Sequence, residues 1–446
     1  MLKHEDRPSE AQPTATKLTV CWLLGEGACP VGARFTADCA SGPVPTVEKR
    51  FRRGTHKQGS ADQLRIDSAF RFYGCKMIAL QMRVGERRGK GGIIYVQVDS
   101  EKLNQFLGQV VGELGAAMNA ALVLIGDKLG LYRAMVGAGG ITPEELASKT
   151  GTDARYVREW LSAQAAGGYV TYDVPSRTFT LPNEQAFALA VPDSPAYLPG
   201  AFHIISALIK DEPKLLEAFR TGDGVGWDEH DAALFEGTER FFRPNYAANL
   251  ITNWIPALEG VEHKLKQGGR VADVGCGHGA STILMAQAYP DSQFVGFDYH
   301  GPSVGWARRA AARAGVKNAS FEVATAKDFH GAKYDFVAFF DCLHDMGDPV
   351  GAAQHVREML NPEGTWMIVE PFAHDQLENN LNPVGRVFYC ASTMICTPAS
   401  RAQEVGLCLG AQAGEARMRR VVTDGGFSHF RRATETPFNL VYEVRA

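Results

Sequence analysis

Val271-Ala272-Asp273-Val274-Gly275-Cys276-Gly277-His278-Gly279-Ala280-Ser281 is the stretch from which the rest of this chain can be read. Two valines flank Asp273, and Thr282-Ile283-Leu284-Met285-Ala286-Gln287-Ala288-Tyr289 follows as a good helix former. The pattern predicts a strand, a glycine-rich turn and a helix. Each glycine removes a Cβ where a ligand has to approach the backbone. The helix presents unpaired N–H groups and the positive end of its dipole. That combination suits a ligand carrying a carboxylate or a phosphate.

Two patterns fit the turn. Gly275-x-Gly277-x-x-Ala280 fits the dinucleotide fingerprint, whose third position admits alanine. Asp273-x-Gly275-x-Gly277-x-Gly279 fits the loop of class I S-adenosylmethionine (SAM) methyltransferases. Both place an acid at the end of the next strand. Here it is Asp298, closing Gln293-Phe294-Val295-Gly296-Phe297-Asp298, 19 residues beyond Gly279. A carboxylate there can accept hydrogen bonds from both hydroxyls of an adenosine ribose. The turn therefore reads as an adenosine-cofactor site and leaves the cofactor open.

The bulk numbers set outer bounds. A chain of 446 residues is expected to hold two or three domains. Hydrophobic content of 45% with 22% charged residues is ordinary for a globular protein. The net charge of −4 gives no reason to expect a polyanion partner. Residues 1–98 depart from that balance, with 16 Lys+Arg against 9 Asp+Glu. Nine scattered cysteines without a C-x-x-C read as reduced thiols, and no metal-ligand spacing is present, so no metal is expected. No apolar run approaches the ~18–20 residues of a membrane span. Leu18–Leu24 is short and starts late for a signal peptide. A cytoplasmic protein with no membrane partner is the expectation.

Taken in order, residues 1–98 read as a poorly ordered extension, with a basic cluster at Lys49–Arg53 and another at Arg87–Lys90. Leu103, Phe106, Leu107, Val110, Val111 and Leu114 fall at helical spacing, followed by small residues Gly115-Ala116-Ala117 and a second apolar stretch to Tyr132. These helices should pack on each other or on a second subunit. Thr142-Pro143-Glu144-Glu145 starts a helix, and Asp153 caps another running to Ala166. A hairpin around 173–177 follows, so 99–182 has the layout of a winged helix. The second helix of a DNA-binding winged helix should be basic. Here Arg155 and Arg158 are offset by Asp153 and Glu159, so nucleic acid is not the expected partner.

Residues 183–265 read as an aromatic-rich helical linker, with Gly222-Asp223-Gly224-Val225-Gly226 as a loop that could serve as a lid. From 266 to 446 strands and helices alternate as in a doubly wound parallel sheet. The two final strands, 427–432 and 438–445, read as an antiparallel hairpin.

With these pieces placed, the chain from about residue 100 onward resembles bacterial class I SAM-dependent methyltransferases that carry an N-terminal winged-helix domain. Its layout is also similar to that of the small-molecule O-methyltransferases of plants. The resemblance implies an α/β fold: a Rossmann-like, seven-stranded methyltransferase sheet with a C-terminal antiparallel hairpin, preceded by an α-helical winged-helix domain. Ala324–Phe329 sits where that family places its adenine contacts, with Thr325 where many members have Asp. Leu360–Gly364 is similar to the family's L-x-P-G-G turn, with Glu363 departing from it. Leu343-His344-Asp345 matches the plant enzymes' Leu-His-Asp, where the histidine is the general base, and Met346 replaces their Trp.

The resemblance implies SAM as cofactor, with contacts at Asp273, Gly275, Cys276, Gly277, Gly279, Asp298, Tyr299, Thr325, Ala326 and Asp341. It implies His344 as catalytic base, or as a residue lining the pocket. The helices at 200–250 and the segment 370–390 would wall the acceptor pocket. The expected activity is methyl transfer to a small organic molecule, on oxygen, by a homodimer joined through residues 100–180. Two other readings stay open: a SAM-binding transcriptional regulator that uses the winged helix, and an NAD(P)-dependent oxidoreductase.

Overall fold

The computed structural model describes residues 98–446. The expected extension at 1–98, with both basic clusters, lies outside the described residues except for Val98. Asp99 starts the first helix by accepting the N–H groups of Glu101 and Lys102 at 2.9 and 3.2 Å. That helix, α1 (Ser100–Lys128), is one continuous element of 29 residues. The expected break at Gly115–Ala117 does not occur. Glycine inside a helix costs only about 1 kcal/mol, and the flanking residues are good helix formers. Ala116, Ala117 and Ala120 instead turn their small side chains toward a large cavity.

After α2 (Leu131–Met135), the winged helix forms as read: α3 (Pro143–Thr150), α4 (Ala154–Ala166) and the antiparallel pair β1 (Thr171–Asp173) and β2 (Thr178–Thr180). Thr142 and Glu145 close a reciprocal capping box on α3. Val123, Leu146, Val157, Trp160 and Leu161 share the core of this region. Only the C-terminal half of α1 joins that core. Its N-terminal half leaves Phe106 59% and Val111 68% exposed.

The linker contains α5 (Asn183–Leu189), α6 (Pro199–Lys210), α7 (Glu212–Thr221), α8 (Ala233–Asn249) and α9 (Val261–Lys266). A buried polar knot ties it to α1. Arg240 on α8 donates to Asp127 at 2.8 Å and to the Tyr197 hydroxyl at 2.7 Å, and Tyr197 in turn donates to Asp127 at 2.9 Å. Burial opposes charge on Asp127, but hydrogen bonds from His203, Arg240 and Tyr197 outweigh it and hold its pKa down at about 2.

The remaining chain runs β3 (Arg270–Val274), α10 (Ala280–Ala288), β4 (Gln293–Asp298), α11 (Gly301–Arg313), β5 (Ala319–Val323), β6 (Tyr334–Phe340), α12 (Pro349–Met359) and β7 (Leu360–Pro371). It ends with α13 (Pro383–Ala391), α14 (Thr397–Arg401), α15 (Gly414–Asp424), β8 (His429–Glu435) and β9 (Asn439–Arg445). These strands form one seven-stranded sheet in the order β5-β4-β3-β6-β7-β9-β8. Pairings from β5 to β7 are parallel, and β9 runs antiparallel to both β7 and β8. The expected turn at Leu360–Gly364 is drawn into β7 as an irregular start, with a register shift between Tyr334 and Phe336.

The order reverses at β3, whose neighbours are β4 and β6. Val274 pairs with Phe297 on one side and Phe339 on the other, so the three strands end at nearly one level. The crevice beyond their carboxyl ends is where open α/β sheets take ligands.

Two sequence expectations are corrected here. The Gly222–Gly226 segment is not a free lid. Val225 is buried and donates its N–H to Pro398 O at 3.1 Å, and Arg401 Nε donates to Gly222 O at 3.0 Å. The statement that no segment is long and apolar enough to span a membrane fails for α1, which passes by length and composition with a mean hydropathy of 1.4. Its C-terminal half, however, is committed to the winged-helix core and to the Asp127–Arg240 pair.

Candidate active site

The glycine turn leaves β3 with its backbone fixed to the neighbouring strand. Phe297 O accepts both the Gly275 and Cys276 N–H groups, at 2.8 and 3.0 Å. The three glycines of the turn all have positive φ but do different work. At Gly275 a Cβ would lie 2.7 Å from Cys342 Sγ, and at Gly279 it would lie 2.6 Å from the Phe321 ring. Those two permit close packing. At Gly277 it would meet nothing within 4 Å, because that position opens on the cavity.

Asp273 lies behind the turn. It is buried, and its carboxylate accepts the Ser281 and Thr282 hydroxyls at 2.6 Å each, locking the turn to the first residues of α10. Burial pushes its pKa up to about 6 against those hydrogen bonds. Neither Asp273 nor Gly279 is part of the cavity wall. Gly275, Cys276, Gly277, Asp298, Tyr299, Thr325, Ala326, Asp341 and His344 all are. Cys276 joins the wall at the turn, while its side chain packs in the core with Phe321 and Ala307. Thr325 turns its hydroxyl to Asp328 at 2.7 Å.

Asp298 closes β4 facing the crevice. Its two oxygens accept the N–H groups of Gly277 and His300, at 2.9 and 2.8 Å. These bonds aim the carboxylate and leave lone pairs free for a ligand.

Helix α8 roofs the crevice with one face. Phe235 stacks on His300 at 4.3 Å, Glu239 meets His278 Nδ1 at 2.8 Å, and the Tyr246 hydroxyl donates to Asp341 at 2.9 Å. These residues are four and seven apart, as one helical face requires. In order they meet the ends of β4, β3 and β6.

At the end of β6 the chain turns sharply, with Asp341 at φ 48°. Asp341 also accepts the Asn439 side-chain amide at 3.1 Å. Burial and the nearby Glu370 push its pKa up to about 7. His344 is buried, and its Nδ1 lies 2.5 Å from Glu370 Oε2. Glu370 also accepts the Leu343 N–H at 3.1 Å. Burial works against a charged imidazole here, but Glu370 and the adjacent Cys396 prevail and raise the His344 pKa well above the usual histidine range. Asp345 accepts the Trp227 indole N–H at 3.1 Å, and burial pushes its pKa up to about 6.

The cavity measures about 1620 Å³. Pockets for a single small ligand hold roughly 300–1,000 Å³, so there is room for two molecules. Beyond His344 the wall is apolar and comes from α6, α8 and α13, including Phe202, Phe242, Val387 and Phe388. Glu113 of α1 pairs with Arg386 of α13 at 3.0 Å on this wall. Glu370, Glu239, His278 and Tyr246 were not among the sequence candidates for the site. The helices at 200–250 were expected to wall the pocket, and the spacing of Phe235, Glu239, Phe242 and Tyr246 marks the face of α8 that does so.

Comparison with known proteins agrees with this architecture. Residues 265–413 match the family described as a methyltransferase domain, and residues 117–191 match an Rv2258c-like winged HTH domain. The chain is similar to the ubiquinone biosynthesis O-methyltransferase of Bordetella avium, 31% identical over 137 residues, or 30% of this chain and 54% of that enzyme. It is also similar to ribosomal RNA small subunit methyltransferase G of Actinobacillus pleuropneumoniae, 27% identical over 139 residues, 30% of this chain and 64% of that enzyme. The match thus spans less than two thirds of either relative.

Among solved structures, mitomycin 7-O-methyltransferase superposes with a TM-score of 0.58 at 17% identity, over 78% of this chain and 100% of that one. Human N-acetylserotonin methyltransferase, solved with SAM, gives 0.57 at 13% identity, over 79% and 99%. At such identities the likeness is one of fold.

Proposed function

We propose that this chain is a SAM-dependent methyltransferase that transfers a methyl group to a small organic molecule, on oxygen, and that it works in the cytoplasm as a homodimer. The observation that carries the reading is the buried His344–Glu370 pair at the end of β6, on the same cavity as the glycine turn of β3.

The residues present fit the cofactor. The turn is open at Gly277, where a Cβ would meet no atom within 4 Å. Asp298 presents an aimed carboxylate to the same space. Gly275, Cys276, Gly277, Asp298, Tyr299, Thr325, Ala326 and Asp341 would hold SAM, with Asp273 and Gly279 supporting the turn from behind. When bound, SAM supplies a methyl group already activated on a sulfonium.

The work left to the protein is to hold the acceptor, remove its proton and exclude water. Glu370 at Nδ1 selects the tautomer in which that nitrogen carries the hydrogen. The other ring nitrogen of His344 is then the one that takes the acceptor hydroxyl's proton, as a general base. The aromatic and aliphatic wall from α6, α8 and α13 suits a largely apolar acceptor. The similarity to O-methyltransferases acting on small molecules supports oxygen as the site of transfer.

The regulator reading draws no support from the winged helix. Arg155 and Arg158 on α4 are paired with Glu159 and Glu144, which leaves little positive field for a phosphate backbone. The exposed apolar row of α1 supports the homodimer.

The test is direct. Calorimetry of the purified chain with S-adenosylhomocysteine should show binding, and labelled SAM with a panel of phenols should yield an organic-extractable labelled product. No binding of S-adenosylhomocysteine would remove the cofactor assignment. Binding without transfer to any phenol, together with a salt-dependent DNA gel shift, would favour the regulator.

A further inference from the structure

We propose that Glu239 and His278 form a receptor for the amino-acid end of the cofactor, Glu239 taking the α-ammonium and His278 the α-carboxylate. The inference rests on SAM being the cofactor and deepens that reading.

The two residues come from different elements. His278 sits in the glycine turn, one residue beyond Gly277, and Glu239 descends from the roof helix α8. Both line the cavity, and their facing atoms are 2.8 Å apart. The side chains are 11% and 22% exposed, so a ligand in the cavity can reach both. The His278 ring lies against Trp306 at 5.1 Å and 29°, which fixes its plane.

Position along the crevice selects the ligand group. Asp298 at the end of β4 marks the ribose, and His344 beyond β6 marks the acceptor. A nucleoside whose ribose rests on Asp298 and whose reactive centre faces His344 must pass the end of β3. The Glu239–His278 pair stands there. The part of SAM left to be placed is an amino acid, with one ammonium and one carboxylate a few ångströms apart. A carboxylate beside an imidazole is the complement of that zwitterion. In this structure each group satisfies the other, so neither is stranded. With ligand, that one internal contact is exchanged for two charge-assisted contacts to the ligand.

A latch holding α8 over the turn would use the same 2.8 Å contact, and the experiment separates the two roles. Calorimetry would measure S-adenosylhomocysteine, which has the amino-acid end, and 5′-methylthioadenosine, which lacks it, on wild type and Glu239→Gln. Glutamine keeps an oxygen for His278 and removes the charge. The expected result is about ten-fold weaker S-adenosylhomocysteine binding, the size of one lost charge-assisted contact. Methylthioadenosine affinity should stay within about two-fold. Equal weakening of both ligands would show a latch and overturn the proposal, as would unchanged S-adenosylhomocysteine affinity. A wild-type protein that binds neither ligand would overturn the cofactor reading itself, and this inference with it.

Discussion

Glu370 lies 26 residues from His344 and reaches it only because β6 and β7 pair in parallel, Phe340 beside Val369. Nothing local in the sequence announces that contact, which is why His344 was legible as a candidate and its partner was not. The pair has a pH consequence. A general base works deprotonated, so activity is lost as pH falls through the pKa of His344. That pKa is raised well above the ordinary value, and the acidic limb of the kcat profile should therefore lie above the usual histidine range. Glu370→Gln removes the raising carboxylate and leaves burial, the largest influence and one that lowers the pKa, opposed only by Cys396, so the limb should move to lower pH. His344→Ala should cost roughly 10²–10⁴ in kcat with S-adenosylhomocysteine affinity little changed. A large loss of affinity in that variant would make His344 part of the pocket lining. The place of Asp298 at the end of β4 was legible from its distance to the glycine turn. Its charge-assisted bonds contribute roughly 1.5–3 kcal/mol each. Asp298→Ala should weaken SAM by about ten-fold or more, at ~1.4 kcal/mol per ten-fold. Unchanged affinity in calorimetry would remove Asp298 from the site.

Elements with strong periodicity or caps were readable, and elements positioned by distant partners were not. The boundaries of α3 and α4 follow from Thr142, Pro143 and Asp153, and β4 and β6 match their apolar runs. The 222–226 segment shows the opposite case. Three glycines read as a flexible loop, yet Gly224 is required because the backbone of Ala402 packs directly on it. A Cβ there would lie 2.0 Å from Ala402 N. Gly224→Ala must displace the loop from α14, and overpacking of this kind costs typically ~1–3 kcal/mol. Urea denaturation should show a lower midpoint with an unchanged slope. A midpoint equal to wild type would mean that the loop gives way freely and can move as a lid. The helices at 200–250 were expected to wall the pocket, but which α8 residues meet the strand ends was not readable, for a related reason. The aromatic residues of α8 look like ordinary core until the sheet is placed beneath them, when Phe235, Glu239 and Tyr246 are found facing three successive strand ends.

At the scale of the molecule, the unresolved demand is the N-terminal half of α1. Leu103, Phe106, Leu107, Val111, Leu114 and Met118 are all exposed along it, while Leu122 and Val123 of the same helix pack in the winged-helix core. An apolar row of this length is costly to leave in water. A bilayer is a poor match for the whole helix. Burying it to Lys128 would pull Val123 from its core and separate Asp127 from Arg240, leaving a buried ion without its partner. A second copy of the chain needs no such disruption, because the exposed and packed halves stay as they are. The expected species is therefore a homodimer, sedimenting near twice the chain mass of 48.5 kDa at micromolar concentration. The double variant Phe106→Glu with Val111→Glu places two charges within that row and should sediment as a monomer. Its circular dichroism and urea midpoint should remain close to wild type once the monomer is the reference, since neither side chain touches the core. A wild-type protein that is already monomeric would contradict the dimer. If that monomer also floated with lipid vesicles while the double variant did not, the row would belong to a membrane surface.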